Sequence, residues 1–261
     1  MTKVFINGFG RIGRTVLRAW AQGGWPDIDI VGINDIADAD LCAHLFEYDS
    51  VFGPFAGKVY LEGTTLHVNG HPIPMHQTRD LRNLALHGVD LVMECTGKAD
   101  DRDVALRPLT AGARRVLISG PSDAADATIV IGANEGDLAD QQIISNASCT
   151  TNALAPLVRL LEDTWGVRTG WMTTIHCYTG SQPTIDAPRG DMLRSRAAAM
   201  SMVPTTTSAM RLLDHVLPDI AGRIEGAAVR VPVASVSAVD LTVTLQTTVT
   251  REQVIDLLSK P

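Results

Sequence analysis

One cysteine of this sequence lies among hydroxyl and amide side chains, in the stretch from Ser145 to Asn152. Apolar residues recur at helical spacing directly after it, from Leu154 to Leu161, so Cys149 is predicted at the N-terminus of a helix. Unpaired backbone N–H groups and the positive end of the helix dipole favour a thiolate there. A thiolate is a nucleophile at neutral pH. The alternative is that Cys149 is a small buried hydrophobic residue, the usual environment of a free cysteine.

A histidine that fits the role of base lies in the next predicted element, the β-rich run from Gly170 to Tyr178. Alternate residues of a strand share a face, so His176 is predicted on the same face as Thr174 and Tyr178. A cysteine at a helix start followed by a histidine on the next strand is what a thiolate and its base require. Taken alone, His176 fits equally well as a packed core or sheet-surface residue.

Arginines and hydroxyls in the second half of the chain suit the capture of phosphate groups. The segment 179–208 contains Arg189, Arg194, Arg196 and a hydroxyl cluster at 205–208, although such residues are also common in solvated loops and helix caps. A further arginine, Arg230, lies inside an apolar strand-like run where an unpaired charge is costly. Arg230 therefore pairs with an internal carboxylate or binds an anionic ligand.

The first 35 residues have the order strand, glycine-rich turn, helix, strand and acid that is typical of a dinucleotide-binding unit. Gly8 allows the tight turn, Gly10 lets the backbone approach a pyrophosphate, and Gly13 lets the helix pack on the strand. The diphosphate is expected at the helix N-terminus. Asp35 lies where a carboxylate holds a ribose diol and repels a 2′-phosphate, so NAD is favoured over NADP. An ordinary tight turn is the alternative for a glycine motif of this kind.

Two continuous apolar runs, Val89 to Cys95 and Arg115 to Ser119, are typical of parallel strands covered on both faces. Ligands of open parallel sheets lie beyond the carboxyl ends of the strands. Thr96, Gly97 and Ser119, at the ends of these runs, are therefore predicted to line the cofactor cleft, unless they are only turn residues.

Three shorter patterns predict further elements. Asn69-Gly70 after an apolar run indicates a β-hairpin. Strict alternation of apolar and polar residues from Val236 to Val249 predicts a half-exposed antiparallel strand. Thr250 to Gln253 has the pattern of a capping box that opens a helix.

The composition limits the class of protein. The chain has 261 residues, with 22 Lys plus Arg against 29 Asp plus Glu and a net charge of -7. This length allows two domains, and the acidity argues against nucleic acid or an anionic membrane as the main partner. With no apolar leader or membrane span, a cytoplasmic protein is expected. Its 4 cysteines are far apart and lack metal-ligand spacing, so reduced thiols and no metal are expected.

Several motifs together resemble the phosphorylating glyceraldehyde-3-phosphate dehydrogenase family, nearly end to end. The matching stretches are Ile6 to Arg14, Tyr48 to Val51, Glu94 to Gly97, Ser145 to Asn152, Pro204 to Thr207, and Val229 to Pro232. The resemblance implies a Rossmann α/β NAD-binding domain at residues 1–148. It also implies an α+β catalytic domain with a mostly antiparallel sheet at residues 149–261, in which Cys149 is the nucleophile and His176 its base.

The resemblance also implies the remaining site residues. Those expected around NAD are Gly8, Gly10, Arg11, Ile12, Gly13, Asp35, Arg79, Thr96, Gly97 and Ser119. Those expected at the inorganic-phosphate site are Ser148, Thr150, Thr207 and Ser208, with Thr179 and Arg230 at the substrate-phosphate site. The implied reaction is the NAD-dependent conversion of glyceraldehyde 3-phosphate and inorganic phosphate to 1,3-bisphosphoglycerate through a cysteine thioester. A homotetramer is implied, in which the 179–202 segment reaches a neighbour's cofactor.

Some positions depart from the family pattern. Gly180-Ser181-Gln182 stands where Asn-Asp-Gln is usual, Ala153 where a second cysteine is usual, and Ser208 where a glycine is usual. Erythrose-4-phosphate dehydrogenase, which hydrolyses the thioester, is the alternative activity. Family members also continue past Pro261, so a truncated chain is expected, with an inactive NAD-binding fragment as a further alternative.

Overall fold

Short apolar runs separated by glycine-rich and polar turns build most of the first of two units into which the chain divides. In the computed structural model, which describes residues 1–259, the first unit comprises Met1–Ile129 and Glu135–Ala147. The second comprises Val130–Asn134 and the residues from Ser148 onwards.

The first unit contains a nine-stranded sheet with helices between its parallel strands. Its elements are β1 (Thr2–Asn7), α1 (Arg11–Ala21), β2 (Ile28–Asn34), α2 (Ala39–Glu47), β3 (Tyr48–Asp49), β4 (Gly53–Pro54), β5 (Val59–Glu62), β6 (Thr65–Val68), β7 (His71–His76), β8 (Leu91–Glu94), α3 (Arg102–Thr110), β9 (Arg115–Ile118), β10 (Ala127–Thr128) and β11 (Ile143–Ser145). The strand order is β10-β11-β9-β8-β1-β2-β7-β6-β5, and β3 pairs with β4 separately.

The pairing of these strands is parallel from β10 to β7 and antiparallel for β7, β6 and β5. The apolar runs that predicted buried parallel strands form β8 and β9, which are neighbours in the sheet. The predicted hairpin is also confirmed. Asn69 and Gly70 join β6 to β7 with φ angles of 52° and 86°, the left-handed conformation that such a two-residue turn requires.

The second unit packs helices on a four-stranded sheet. Its elements are α4 (Cys149–Trp165), β12 (Val167–Cys177), β13 (Val203–Thr205), α5 (Ala209–Val216), β14 (Ile224–Val231), β15 (Ser237–Leu245) and α6 (Arg251–Leu258). The strand order is β13-β14-β12-β15. The β12–β14 pairing is parallel and the other two are antiparallel, so the mostly antiparallel sheet predicted from the sequence is confirmed.

The central strand β12 has one buried face and one exposed face. Met172, Thr174 and His176 are buried, whereas Trp171 and Ile175 on the opposite face are exposed. The shared face predicted for His176 and Thr174 is therefore confirmed, whereas Tyr178 lies beyond the end of β12. The alternating run near the end of the chain forms β15, and Thr250 and Gln253 form the predicted capping box of α6.

Candidate active site

The nucleophile candidate is the first residue of α4. Ser148 precedes it as the N-cap, because its hydroxyl oxygen accepts the backbone N–H of Thr151 at 3.0 Å. Ala147 has a φ of 53°, an uncommon conformation for a residue with a side chain, immediately before this cap. Cys149 itself is exposed. A thiol at a capped helix N-terminus, open to solvent, has the position that the sequence predicted.

The imidazole of His176 reaches Cys149 from the buried face of β12. Its Nε2 lies 3.1 Å from the Sγ of Cys149. Its Nδ1 lies 2.7 Å from the carbonyl oxygen of Cys177. A candidate nucleophile, a candidate base and a group that can orient the base are thus in contact, which is the arrangement that general-base activation of a thiol needs.

Arg230 lies beside the histidine because the parallel register of β12 and β14 pairs these two residues. Its Nη1 is 2.8 Å from the Nδ1 of His176 and 2.9 Å from the carbonyl oxygen of Cys177. Burial, and the neighbouring Arg194, lower the pKa of Arg230. In the part of the chain that the structure describes, no carboxylate forms an ion pair with Arg230. Of the two alternatives for this arginine, an internal carboxylate partner is therefore wrong.

The hydroxyls predicted to bind inorganic phosphate serve partly as helix caps. Thr207 accepts the backbone N–H of Ala209 at 3.1 Å at the start of α5, where Ser208 is the N-cap. Thr150 is buried in the first turn of α4. At the position predicted to bind the substrate phosphate, the hydroxyl of Thr179 is 2.9 Å from that of Ser181.

One arginine of the 179–208 segment, Arg194, contacts the hydroxyl cluster at 205–208. The sequence alone did not distinguish Arg194 from the other arginines of this segment. The Nε of Arg194 donates to the hydroxyl of Thr205 at 2.9 Å, and its Nη2 donates to the carbonyl oxygen of Thr206 at 3.2 Å. By contrast, Arg196 pairs with Asp186 at 2.8 Å. Arg194 is also close enough to Arg230 for its charge to lower the pKa of that residue. Two neighbouring cations, one of them bonded to uncharged hydroxyls, favour an anionic ligand.

In the first unit, a cavity of about 410 Å³ opens at the carboxyl ends of β1, β2, β7 and β8. Five of the residues predicted at the cofactor site line it, namely Gly8, Gly10, Asp35, Arg79 and Thr96. The lining also includes Thr78, Lys98 and Arg107, which the sequence reading missed. Ligands of open parallel sheets bind at this edge of the sheet, so its position fits a dinucleotide.

Two of the glycines are required by close packing. A Cβ on Gly8, whose φ is 91°, would lie 2.7 Å from the backbone nitrogen of Thr96. A Cβ on Gly13 would lie 2.1 Å from the carbonyl oxygen of Gly8. Gly10 has open space around it, and as the N-cap of α1 it brings no side chain over the helix end. The turn is therefore closed on the protein side and open on the ligand side.

The predicted ribose ligand also holds the glycine turn. Asp35 accepts the backbone N–H of Phe9 at 2.6 Å through one carboxylate oxygen and that of Ala37 at 2.9 Å through the other. Its carboxylate is thereby fixed at the end of β2, next to the cavity.

The other predicted cofactor residues do not line the cavity with their side chains. Arg11 pairs with Asp49 at 2.9 Å and covers the ring of Phe52. Ile12 is exposed on α1, Gly97 has a φ of 68° in the turn after β8, and Ser119 bonds the thiol of Cys95. The cofactor roles of all these residues stay predictions.

The sequence also did not predict a buried polar network of Asn7, Asn34 and Glu94 beneath the cavity. The amide of Asn7 donates to the carboxylate of Glu94 at 2.5 Å and accepts from the amide of Asn34 at 2.8 Å. Glu94 also accepts the backbone N–H of Thr96 at 2.9 Å. The only feature of the sequence that indicated this network was the charged residue Glu94 at the end of an apolar strand. This network ties together the three turns that line the cavity.

The chain matches two family models along most of its length. The model of the glyceraldehyde 3-phosphate dehydrogenase NAD binding domain matches residues 2–102, and that of the C-terminal domain of the same enzyme matches residues 148–261. Glyceraldehyde-3-phosphate dehydrogenase of Xanthobacter flavus is 48% identical over 255 residues, which are 97% of this chain and 76% of that protein. The protein of the same name from Geobacillus stearothermophilus is 47% identical over 256 residues, with 97% and 76% covered. The one from Pseudomonas aeruginosa is 48% identical over 245 residues, with 92% and 73% covered.

Proposed function

The chain belongs to the glyceraldehyde-3-phosphate dehydrogenase family, and we propose that it converts glyceraldehyde 3-phosphate, NAD and inorganic phosphate to 1,3-bisphosphoglycerate. The reaction runs through a thioester on Cys149. The observation that supports this most directly is the 3.1 Å separation of the Cys149 Sγ and the His176 Nε2 at the start of α4. Cofactor binding is assigned to residues 1–148 and catalysis to residues 149–261.

The chemistry follows from these two side chains. The Sγ of Cys149 forms a bond to the aldehyde carbon, and the carbonyl oxygen takes a proton to become the hydroxyl of a thiohemiacetal. The Nε2 of His176 removes that proton as the carbon loses its hydrogen with the bonding electrons, which leaves a thioester on Cys149. Inorganic phosphate then attacks the thioester, the C–S bond breaks, and the acyl phosphate leaves with Sγ restored.

The phosphate groups of the reaction need cations and hydroxyls, and the second unit provides both. We assign Thr179 and Arg230 to the phosphate of the substrate. Inorganic phosphate is assigned to Ser148, Thr150, Thr207 and Ser208. The contacts of Arg194 with Thr205 and Thr206 support adding that arginine to the hydroxyl cluster.

The cavity of the first unit fits NAD. Gly8 and Gly13 leave no room for side chains, the α1 N-terminus is bare at Gly10, and Asp35 is held at the position of a ribose ligand. NAD supplies the hydride acceptor. The residues of this chain bind it, and the carboxylate of Asp35 disfavours a 2′-phosphate.

A steady-state assay tests the proposal. NADH absorbance is followed with glyceraldehyde 3-phosphate, NAD and inorganic phosphate, and matched reactions replace the aldehyde with erythrose 4-phosphate or leave phosphate out. We expect sustained turnover with the triose phosphate only when inorganic phosphate is present. Sustained turnover that is independent of phosphate and faster with the tetrose would establish the alternative, erythrose-4-phosphate dehydrogenase. Absence of NADH formation with either aldehyde would overturn both.

The exposed face of the second-unit sheet supports a homotetramer. Trp171 and Ile175 are 49% and 43% exposed on that face of β12, and Met192 is 92% exposed in the segment 179–202. Large apolar side chains exposed on one face of a strand are suited to burial against another protein surface. We propose that copies of the chain assemble through it and that the 179–202 segment extends towards a neighbour's cofactor. Analytical ultracentrifugation of the wild type and of Trp171→Glu measures this directly, since a monomeric wild type would contradict it.

A cytoplasmic location is proposed from the cysteines. All four are free thiols in the structure, as expected in a reducing compartment. No helix among residues 1–259 is long and apolar enough to cross a membrane.

A further inference from the structure

A second cavity of the first unit, of about 420 Å³, lies at the other end of the sheet from the candidate cofactor site. Ile28, the first residue of β2, lines this cavity, whereas Asn34, the last residue of that strand, lines the cofactor cavity. Trp20 and Ala21, at the C-terminal end of α1, line it as well. Its volume is within the range of small-molecule sites. Among residues 1–259, none that is assigned to NAD, substrate or phosphate lies in its wall, so the proposed function does not use it.

The wall of this cavity is mainly aromatic and aliphatic. Trp20 and Trp25 contribute two indole rings beside aliphatic side chains that include Ile28. The indole N–H of Trp20 donates to the carbonyl oxygen of Ile28 at 3.0 Å, so this ring has no free polar group for a ligand. Trp25 follows a turn of Gly23 and Gly24, which both have a φ of 94°, and it is 55% exposed. Aromatic rings pack favourably on one another, so the wall favours an aromatic ligand.

His71 adds a polar group to this wall. Its Nε2 lies 3.2 Å from the carbonyl oxygen of Ile30 and 3.4 Å from a carboxylate oxygen of Asp29. Carbonyl and carboxylate oxygens only accept hydrogen bonds, so Nε2 holds the hydrogen of the neutral imidazole. The other ring nitrogen, Nδ1, therefore has a lone pair. The imidazole also packs edge-to-face with Trp20, at 4.9 Å between the ring centroids, which fixes its position.

The lone pair of His71 Nδ1 is free to accept a hydrogen bond. In the part of the chain that the structure describes, this atom has no hydrogen-bond partner, and it is not buried, unlike the Nδ1 of His67. The amide of Asn69, another polar side chain in the wall, is already engaged with the backbone N–H of Lys58 at 3.0 Å and the carbonyl oxygen of Ala21 at 3.4 Å. A ligand with a donor gains a bond to Nδ1, whereas a ligand without a donor leaves that lone pair unpaired.

We propose that this cavity is a binding site for a flat aromatic molecule with an N–H or O–H donor, such as an indole or a phenol. The ring of the ligand packs against Trp20 and Trp25, and its donor bonds the Nδ1 of His71. The two indoles supply apolar contact, and His71 supplies selectivity for the donor. Binding here is independent of the proposed function, because this cavity and the cofactor cavity share no lining residue among those that the structure describes.

Two methylated indoles of equal size test the role of the donor. The compound 3-methylindole keeps its N–H, whereas 1-methylindole carries the methyl group on the nitrogen in place of that hydrogen. Calorimetric titration of the wild type at about pH 8, where an ordinary imidazole is neutral, gives both dissociation constants. We expect 3-methylindole to bind about three- to ten-fold more tightly, which is the effect of one hydrogen bond. A saturating concentration of NAD should leave both values unchanged, because NAD binds at the opposite end of the sheet.

Three variants assign the two contributions to their residues. His71→Phe keeps a ring beside Trp20 but removes the acceptor, so the two compounds should then bind equally, within about two-fold. Trp25→Ala removes an indole from the wall and should weaken both compounds at least about five-fold, with their ratio unchanged. Trp171→Ala removes a similarly exposed indole from the second unit and should change neither value. In the wild type, nitrogen-15 NMR should show that both compounds shift the indole signal of Trp25, so the site is tested even if a variant fails to fold.

Four results with the wild type would overturn this assignment: no calorimetric binding of 3-methylindole, equal dissociation constants for the two compounds, displacement of either compound by NAD, or NMR shifts confined to tryptophans other than Trp25. A preference for 3-methylindole that persists in His71→Phe would overturn it as well, because the donor would then bond another acceptor.

Discussion

Cys95 and Cys149 both lie next to candidate ligand sites, one in each unit, yet their surroundings differ. Cys95 follows β8 at the edge of the cofactor cavity, where burial raises the pKa of its thiol to about 11 despite a bond from Ser119. Cys149 begins a helix, is exposed, and has an imidazole nitrogen at 3.1 Å. A helix N-terminus and a base within reach favour a nucleophilic thiol, so the difference makes Cys149 and not Cys95 the candidate nucleophile.

The largest effect is expected from exchanging these two thiols for hydroxyls. Cys149→Ser removes the atom that we propose forms the thioester, and turnover should fall by about a thousand-fold or more. Cys95→Ser should raise the KM for NAD by less than about ten-fold, because its thiol only lines the cavity. Steady-state kinetics and NAD titration by fluorescence measure both. A Cys149→Ser variant that keeps near-normal turnover would remove the basis of the comparison.

A smaller, though still large, loss of turnover is expected from substituting the candidate base, His176. His176→Asn keeps a polar side chain beside Cys149 but cannot take the hydroxyl proton, so kcat should fall by about a hundred- to ten-thousand-fold. NAD binding, which belongs to the first unit, should be unaffected. Stopped-flow measurement of the first turnover gives the rate of the chemical step. An unchanged rate in that experiment would show that another group takes the proton.

Within the first unit, a matched pair of glycines sharpens the contrast between a closed and an open side of the turn. A methyl group on Gly8 would lie 2.7 Å from the Thr96 backbone at a φ of 91°, whereas Gly10 has open space. Gly8→Ala should destabilise the protein without NAD by about 1–3 kcal/mol, whereas Gly10→Ala, which replaces a glycine N-cap by the poorer cap alanine, should cost less than about 1 kcal/mol. Gly10→Ala should nevertheless raise the KM for NAD, because its methyl group faces the ligand. Equal stability losses in urea denaturation would contradict this description of the turn.

The smallest effect concerns an ion pair away from both thiols. Burial would raise the pKa of Asp49, but the backbone N–H groups of Phe52 and Val51 and the guanidinium of Arg11 outweigh it and lower the value to about 2. The ionised form is thus favoured in the folded state, so its stabilising contribution is present above pH 3.8 and is lost as the pH falls towards about 2. Asp49→Asn should flatten the decrease in the free energy of unfolding over that interval. Denaturation at several acidic pH values checks this, and parallel curves for variant and wild type would refute it.

Local patterns predicted much of this structure from the sequence. The glycine motif, the Asn69-Gly70 hairpin and the capping box at Thr250 depend on residues close together in the chain, so their types and spacing suffice. Local patterns also predicted the position of Cys149 at a helix start and the buried face of β12 that carries His176.

Features that depend on which strands become neighbours were not predictable. The contact of Arg230 with His176 arises from the parallel register of β12 and β14. In the sequence, 46 residues separate the end of β12 at Cys177 from the start of β14 at Ile224. Likewise, Asn7, Asn34 and Glu94 meet only because β8, β1 and β2 are adjacent in the sheet. Without an observed pairing of strands, Arg230 was equally compatible with an internal carboxylate.

Direct detection of the acyl group tests the central claim. The protein is mixed with glyceraldehyde 3-phosphate and NAD without inorganic phosphate, quenched in acid, digested, and analysed by mass spectrometry. We predict a phosphoglyceroyl adduct on the peptide that contains Cys149, none on the peptide with Cys95, and loss of the adduct when phosphate is added before the quench. An unmodified Cys149 in a sample that has formed NADH, or an adduct on Cys95 instead, would contradict the account.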